Sequence, residues 1–145
     1  MLLIIGSYRQ PRICLHLFMS SFRIAQRAPE AARLFQILGT RYTMERRFLR
    51  DRLEARGLEV IVPGQPDRTT IHDIQFNELV LGKRLDSSRR AFIEVIGRLV
   101  DQGAEGVILG CTEFGMLIGA GDTSVPLFDT TVLHARRAVD LALTQ

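Results

Sequence analysis

Cysteine is scarce in this sequence: two residues, Cys14 and Cys111, among 145. They stand far apart, form no CxxC and have no histidine cluster beside them, which argues against a structural zinc site and a disulfide framework. Long apolar runs are missing too, since nothing approaches the roughly 18 to 20 consecutive apolar residues of a spanning helix. The opening stretch Met1 to Ile5 is apolar but is cut short by Gly6, Ser7, Tyr8 and Arg9. Its basic residues come after the apolar run, the reverse of a secretory signal. The expectation is a cytoplasmic protein with no membrane partner. Dense Lys/Arg tracts, internal repeats and low-complexity segments are absent as well. The net charge of +3 is modest. Its one asymmetry is residues 1–34, where Arg9, Arg12, Arg23, Arg27 and Arg33 face the single acid Glu30. Without a recognisable nucleic-acid-binding fold, that asymmetry reads as a basic segment with no nucleic-acid partner.

What is present is the composition of an ordinary folded domain, 46% hydrophobic and 24% charged, in a chain long enough for one core. From Leu34 onward, short apolar runs alternate with longer amphipathic ones. Leu34–Leu38 reads as a buried strand stopped by Gly39. A helix over about 43–56 comes next, with Met44, Phe48, Leu49 and Leu53 at helical spacing and Gly57 placed to end it. Residues 58–62 read as a second strand, and 63–69 as a surface loop rich in Gly, Pro and Asp. Thr70 opens a helix ahead of Ile74, Leu79 and Leu81. Asp86 or Ser87 caps the next, with Phe92, Ile96 and Leu99 inward and Gly103 at its end. Residues 106–110 form a third strand whose continuous apolar run suits a sheet covered on both faces. Val125–Phe128 is a fourth, with a last helix over about 131–143.

This alternation predicts an α/β fold, a parallel four-stranded sheet flanked by helices. Ligands of such sheets bind at the carboxyl ends of the strands. Three polar segments fall there: Gly39 to Thr43, Gly110 to Glu113 and Asp129 to Thr131. Cys111 comes after a strand and a glycine and precedes a helix start, where a thiolate would be stabilised and its pKa lowered. The alternative is a buried cysteine at the end of a strand. Thr40, Arg41 and Thr43 form a turn whose N–H groups, hydroxyls and guanidinium suit a carboxylate or phosphate, though Thr43 also serves as a helix cap. His134 lies early in the last helix with its facing open. His72 is explained by local capping near Asp73, and His16 falls in the basic segment.

The blocks Gly39-Thr-Arg-Tyr-Thr-Met44, Phe76-Asn-Glu-Leu79, Gln102 to Glu113 and Val125-Pro-Leu-Phe-Asp-Thr130 with His134 resemble, in this order, the aspartate/glutamate racemases of the Asp/Glu/hydantoin racemase superfamily. The resemblance covers about residues 34–145, and Gly110-Cys-Thr-Glu113 after an apolar strand is its most specific element. It implies one lobe of a two-lobed fold and an isomerase that uses neither pyridoxal phosphate nor a metal. It implies a small amino acid or dicarboxylate as partner, inverted at its α-carbon. In the family two groups, usually cysteines from the two halves, flank the substrate, one taking the proton and the other returning it. Cys111 matches the C-terminal member of that pair and Thr112 a residue lining the pocket. Thr40 and Thr43 match the turn that holds a substrate carboxylate, with Arg41 and Glu113 assigned to the same pocket.

Residues 1–33 do not share the resemblance. They lack a Gly-rich first turn and the Asn-Thr motif that accompanies the opposing acid/base, and Cys14 does not match that partner. A truncated or frameshifted gene would produce this pattern. Two alternatives therefore stand beside the racemase: an inactive lobe that at most binds a dicarboxylate, and a single-cysteine decarboxylase of the same superfamily acting on arylmalonates. Half of a two-lobed protein exposes apolar surface, so a homodimer is a further expectation.

Overall fold

The computed structural model describes residues 34–143; the readings made for residues 1–33, Cys14 and His16 among them, lie outside it. Strand β1 is Leu34–Leu38, succeeded by helices α1 (Arg41–Glu45) and α2 (Arg47–Glu54) and strand β2 (Glu59–Ile61). Helix α3 (Gln65–Asn77) and a 3-10 turn at Leu79–Leu81 lead into α4 (Asp86–Asp101) and β3 (Gly106–Leu109). A second 3-10 turn at Phe114–Met116 precedes β4 (Leu127–Asp129) and α5 (Thr130–Leu143). The strands lie in the order β2-β1-β3-β4, and every pairing is parallel. This is the α/β architecture expected from the alternation of apolar runs.

The sheet is covered on both faces, and strand alternation decides which side chain goes where. Leu38, Val107 and Leu109 pack with Ile71 and Ile74 of α3, with Phe92, Val95, Ile96 and Leu99 of α4, and with Phe114. On the other face Phe35, Ile37 and Ile108 pack with Leu49 and Leu53 of α2, and with Leu58 and Phe128; Leu133 of α5 leans on this cluster. Gly57 and Gly103 take positive φ, +82° and +96°, and turn the chain after α2 and α4 as their positions suggest.

Several local expectations need correction. The helix over 43–56 is two helices, because Arg46 is extended (φ −83°, ψ 139°). The reason is visible in the core: Met44 packs in the α3/α4 cluster, whereas Leu49 and Leu53 pack on the opposite face of the sheet. No straight helix can supply both, and Phe48 is left exposed. The loop at 63–69 is shorter than its composition suggests. Helix α3 already begins at Gln65, with Pro66 in its first turn, where proline's missing N–H costs nothing. Leu81 is exposed, since the chain leaves the helix at Glu78 and enters a 3-10 turn. Asp86 is the first helical residue of α4 and Leu85 holds the cap position without a side-chain bond. Among the described residues no helix is long and apolar enough to cross a membrane.

Register brings the site together. Leu38 pairs with Leu109, and Leu109 with Asp129, so three strands end level and the polar segments after them start side by side. One core residue works against stability. Gln36 is fully buried, and both polar atoms of its amide lack a hydrogen-bond partner. An unsatisfied buried polar group costs about 1–3 kcal/mol. Gln36→Leu should therefore raise the unfolding free energy by roughly 1 kcal/mol or more in urea titrations; a loss of stability would mean that the amide is satisfied after all.

Candidate active site

The site is built outward from Gly110. Its N–H donates to the Leu38 carbonyl at 2.7 Å. A Cβ at this position would stand 3.0 Å from that same oxygen and 3.3 Å from Thr43 Cγ2. Glycine therefore lets the end of β3 run tight against β1 and the Thr40 turn. Cys111 is next in the chain and is half-buried. The backbone is anchored again by Phe114, which is buried and packs edge-on to Phe92 at 4.8 Å. Cys111, Thr112 and Glu113 are thus held between a strand end and a core aromatic.

Glu113 is the hub of this segment. Its Oε2 accepts from Cys111 Sγ at 3.1 Å, from Thr112 Oγ1 at 2.8 Å and from Gln75 Nε2 of α3 at 3.0 Å. Burial pushes the Cys111 thiol up, and the hydrogen bond to Glu113 and that carboxylate's negative charge push it further, to about 12. Burial alone would also raise the Glu113 carboxyl. The bonds from Gln75, Cys111 and Thr112 outweigh it, and Glu113 sits below the usual carboxylate value. The resting pair is therefore a thiol donating to a carboxylate. This overturns the expectation of a thiolate stabilised by a helix N-terminus. The helix expected after Cys111 is only a 3-10 turn of three residues, with too few aligned peptides for a helix dipole, while the carboxylate is in direct contact.

The opposite wall comes from β4 and α5. Asp129 Oδ1 accepts from the N–H groups of Thr131 at 2.8 Å and Val132 at 3.2 Å, capping the helix. Thr130 is buried and its hydroxyl donates to the Leu109 carbonyl at 2.7 Å. These bonds fix the start of α5 beside the end of β3. His134, one turn after Thr130, then faces a cleft of about 300 Å³ lined by Gly110, Cys111, Thr112, Thr130, Thr131 and His134. Its orientation, open from the sequence, is therefore toward the thiol's cleft.

The Thr40 turn stands on the other side of Gly110 and does not line that cleft. Thr40 caps α1, accepting from Thr43 N at 3.2 Å, and the two hydroxyls are 3.1 Å apart. Arg41 N donates to His72 Nδ1 at 3.4 Å, so His72 braces this turn rather than capping α3. The Arg41 Nε is buried without a hydrogen-bond partner. Gln75 is a site residue that the sequence does not single out, although a signal is there. It lies four residues after Ile71 and next to Ile74, on the inward stripe of α3, a polar residue at an apolar position.

The sequence matches the Asp/Glu/hydantoin racemase family over residues 13–138, a match that begins within the segment 1–33. The chain belongs to that family. A solved Yersinia pestis protein of Asp/Glu racemase type is 43% identical, with a TM-score of 0.79 over 87% of this chain and 55% of its own. An aspartate racemase homologue from Pyrococcus horikoshii is 32% identical, with a TM-score of 0.75 over 89% of this chain and 54% of its own. Picrophilus torridus aspartate racemase shares the fold at 18% identity, with a TM-score of 0.63 over 88% of this chain and 51% of its own. The chain therefore spans about half the length of these structures.

The geometry sets the reactivity of the thiol. Thiolate is the nucleophile in alkylation, so Cys111 should react slowly with iodoacetamide at pH 8 in a Cys14→Ser background. Glu113→Gln removes the negative charge beside it, which lowers the pH at which thiolate forms. The rate at pH 8 should rise roughly tenfold for each unit of that shift. An unchanged or slower rate would mean that the carboxylate does not hold the thiol.

Proposed function

We propose that this chain supplies one face of a cofactor-independent amino-acid racemase site acting on aspartate or glutamate, with Cys111 as the acid/base. The observation that carries this reading is that Cys111, hydrogen-bonded to Glu113, lines the cleft that Thr130, Thr131 and His134 complete. A cleft of about 300 Å³ is at the small end of ligand sites and suits a small dicarboxylic amino acid. Family membership and the likeness to proteins described as racemases support the reaction class.

In this reading the protonated thiol is the acid of its face. It gives its proton to the α-carbanion and is left as thiolate, which takes the α-proton when the reaction runs the other way. Glu113 accepts the S–H in the resting state and disfavours the thiolate until substrate is bound, when the S–H turns from the carboxylate to the α-carbon. The substrate's ammonium group then offsets the carboxylate charge. Thr112 and His134 contact the bound molecule, and the Thr40–Thr43 turn with Arg41 holds its far carboxylate where the substrate extends beyond the cleft, across Gly110. The opposing acid/base comes from outside the lobe, in a second copy of this chain or in the remaining half that the longer relatives carry.

A second reading keeps the thiol and changes the reaction. A single thiol held protonated also suits one-sided proton delivery after loss of carbon dioxide from an arylmalonate. The two are separated by isotope exchange. Incubation of L- and D-aspartate and glutamate in D₂O should give Cys111-dependent loss of the α-hydrogen, abolished in Cys111→Ser and monitored by NMR. Release of carbon dioxide from phenylmalonate without exchange would favour the decarboxylase. Neither activity in a folded protein would leave an inactive lobe.

A further inference from the structure

We infer that Gln75 is a positioning residue that locks the Glu113 carboxylate against the Cys111 thiol, setting the pH range over which the pair works. Three observations lead there. Gln75 is 3% exposed and lies on the inward stripe of α3 beside Ile71 and Ile74, where an apolar side chain would pack without loss. Its Nε2 donates to Glu113 Oε2 at 3.0 Å across 38 residues of sequence. Its Oε1 is buried with no hydrogen-bond partner.

The orientation of the amide is dictated by chemistry. An ionised carboxylate offers only acceptors, so the amide turns its NH₂ toward Glu113 and leaves its oxygen buried without a partner. A group half-satisfied in this way lowers stability, and what it provides in return is a fixed carboxylate. Thr112, the hydroxyl donor to Glu113 Oε2, is an exposed neighbour in the same turn and moves with it. Gln75 is the donor that comes from a separate, core-anchored helix. It therefore ties the Cys111–Glu113 segment to the frame of the fold.

A donor to the ionised form lowers a carboxyl pKa, and its removal raises it. Gln75→Met keeps the side chain's length and volume but cannot donate. The Glu113 carboxyl-carbon NMR signal, assigned by its loss in Glu113→Gln, should then titrate about one pH unit higher than in the wild type. Far-ultraviolet circular dichroism confirms the fold. If Gln75→Met does not fold, Gln75→Leu carries the same test. It also cannot donate, so the Glu113 midpoint should again move up. An unchanged titration midpoint in a folded variant overturns the inference.

The effect on turnover rests on the racemase reading. There the acid limb of α-hydrogen exchange should move up in step with the carboxyl. A shifted carboxyl without exchange in any variant would retain Gln75 as the lock and remove the racemase. Exchange with an unshifted limb would do the reverse.

Discussion

The parallel pairing of β1 with β3 is the constraint on which the rest depends. Its last hydrogen bond, from Gly110 N to the Leu38 carbonyl at 2.7 Å, brings two strands to the same edge and delivers the Thr40 turn and Cys111 side by side. The next pairing, Leu109 with Asp129, does the same for the start of α5. A parallel sheet buried on both faces leaves its ligands only the edge where the strands end. The chemistry gathers there because the topology offers little else.

At that edge the electrostatics are set by contact rather than by secondary structure. The 3.1 Å bond from thiol to carboxylate holds Cys111 in its protonated form. A helix long enough to stabilise a thiolate would have made it a nucleophile. Three donors converging on one oxygen of Glu113 keep that residue charged despite partial burial. The two shifts are one arrangement, each partner stabilising the other's protonation state.

The fold was legible from Leu34 onward because both signals that define it are local. Apolar runs such as Gly106–Leu109 mark doubly covered strands, and Gly57 and Gly103 mark the turns after helices. The break at Arg46 was not legible. It arises because Met44 and Leu49 belong to opposite faces of the sheet, which is tertiary information. The true start of α3 is masked because Gly64, Gln65 and Pro66 look like a loop, although proline in a first turn is a normal helix start. Of the site, Cys111, Thr112 and Glu113 stand out by their place after a strand. Gln75 does not, since inward faces are recognised by apolar residues. The direction of the thiol's shift depends on which neighbour lies closer, a helix terminus or a carboxylate, and only folded geometry answers that.

The proposed function requires first that the carboxyl edge of β1, β3 and β4 bind a small amino acid against Cys111. Titration of the ¹⁵N-labelled chain with L-aspartate tests it most directly, by locating the contact without requiring turnover. Saturable shifts of the Gly110, Cys111, Thr112, Thr131 and His134 amides are expected. Shifts confined to residues away from that edge, or none at millimolar ligand, would contradict it.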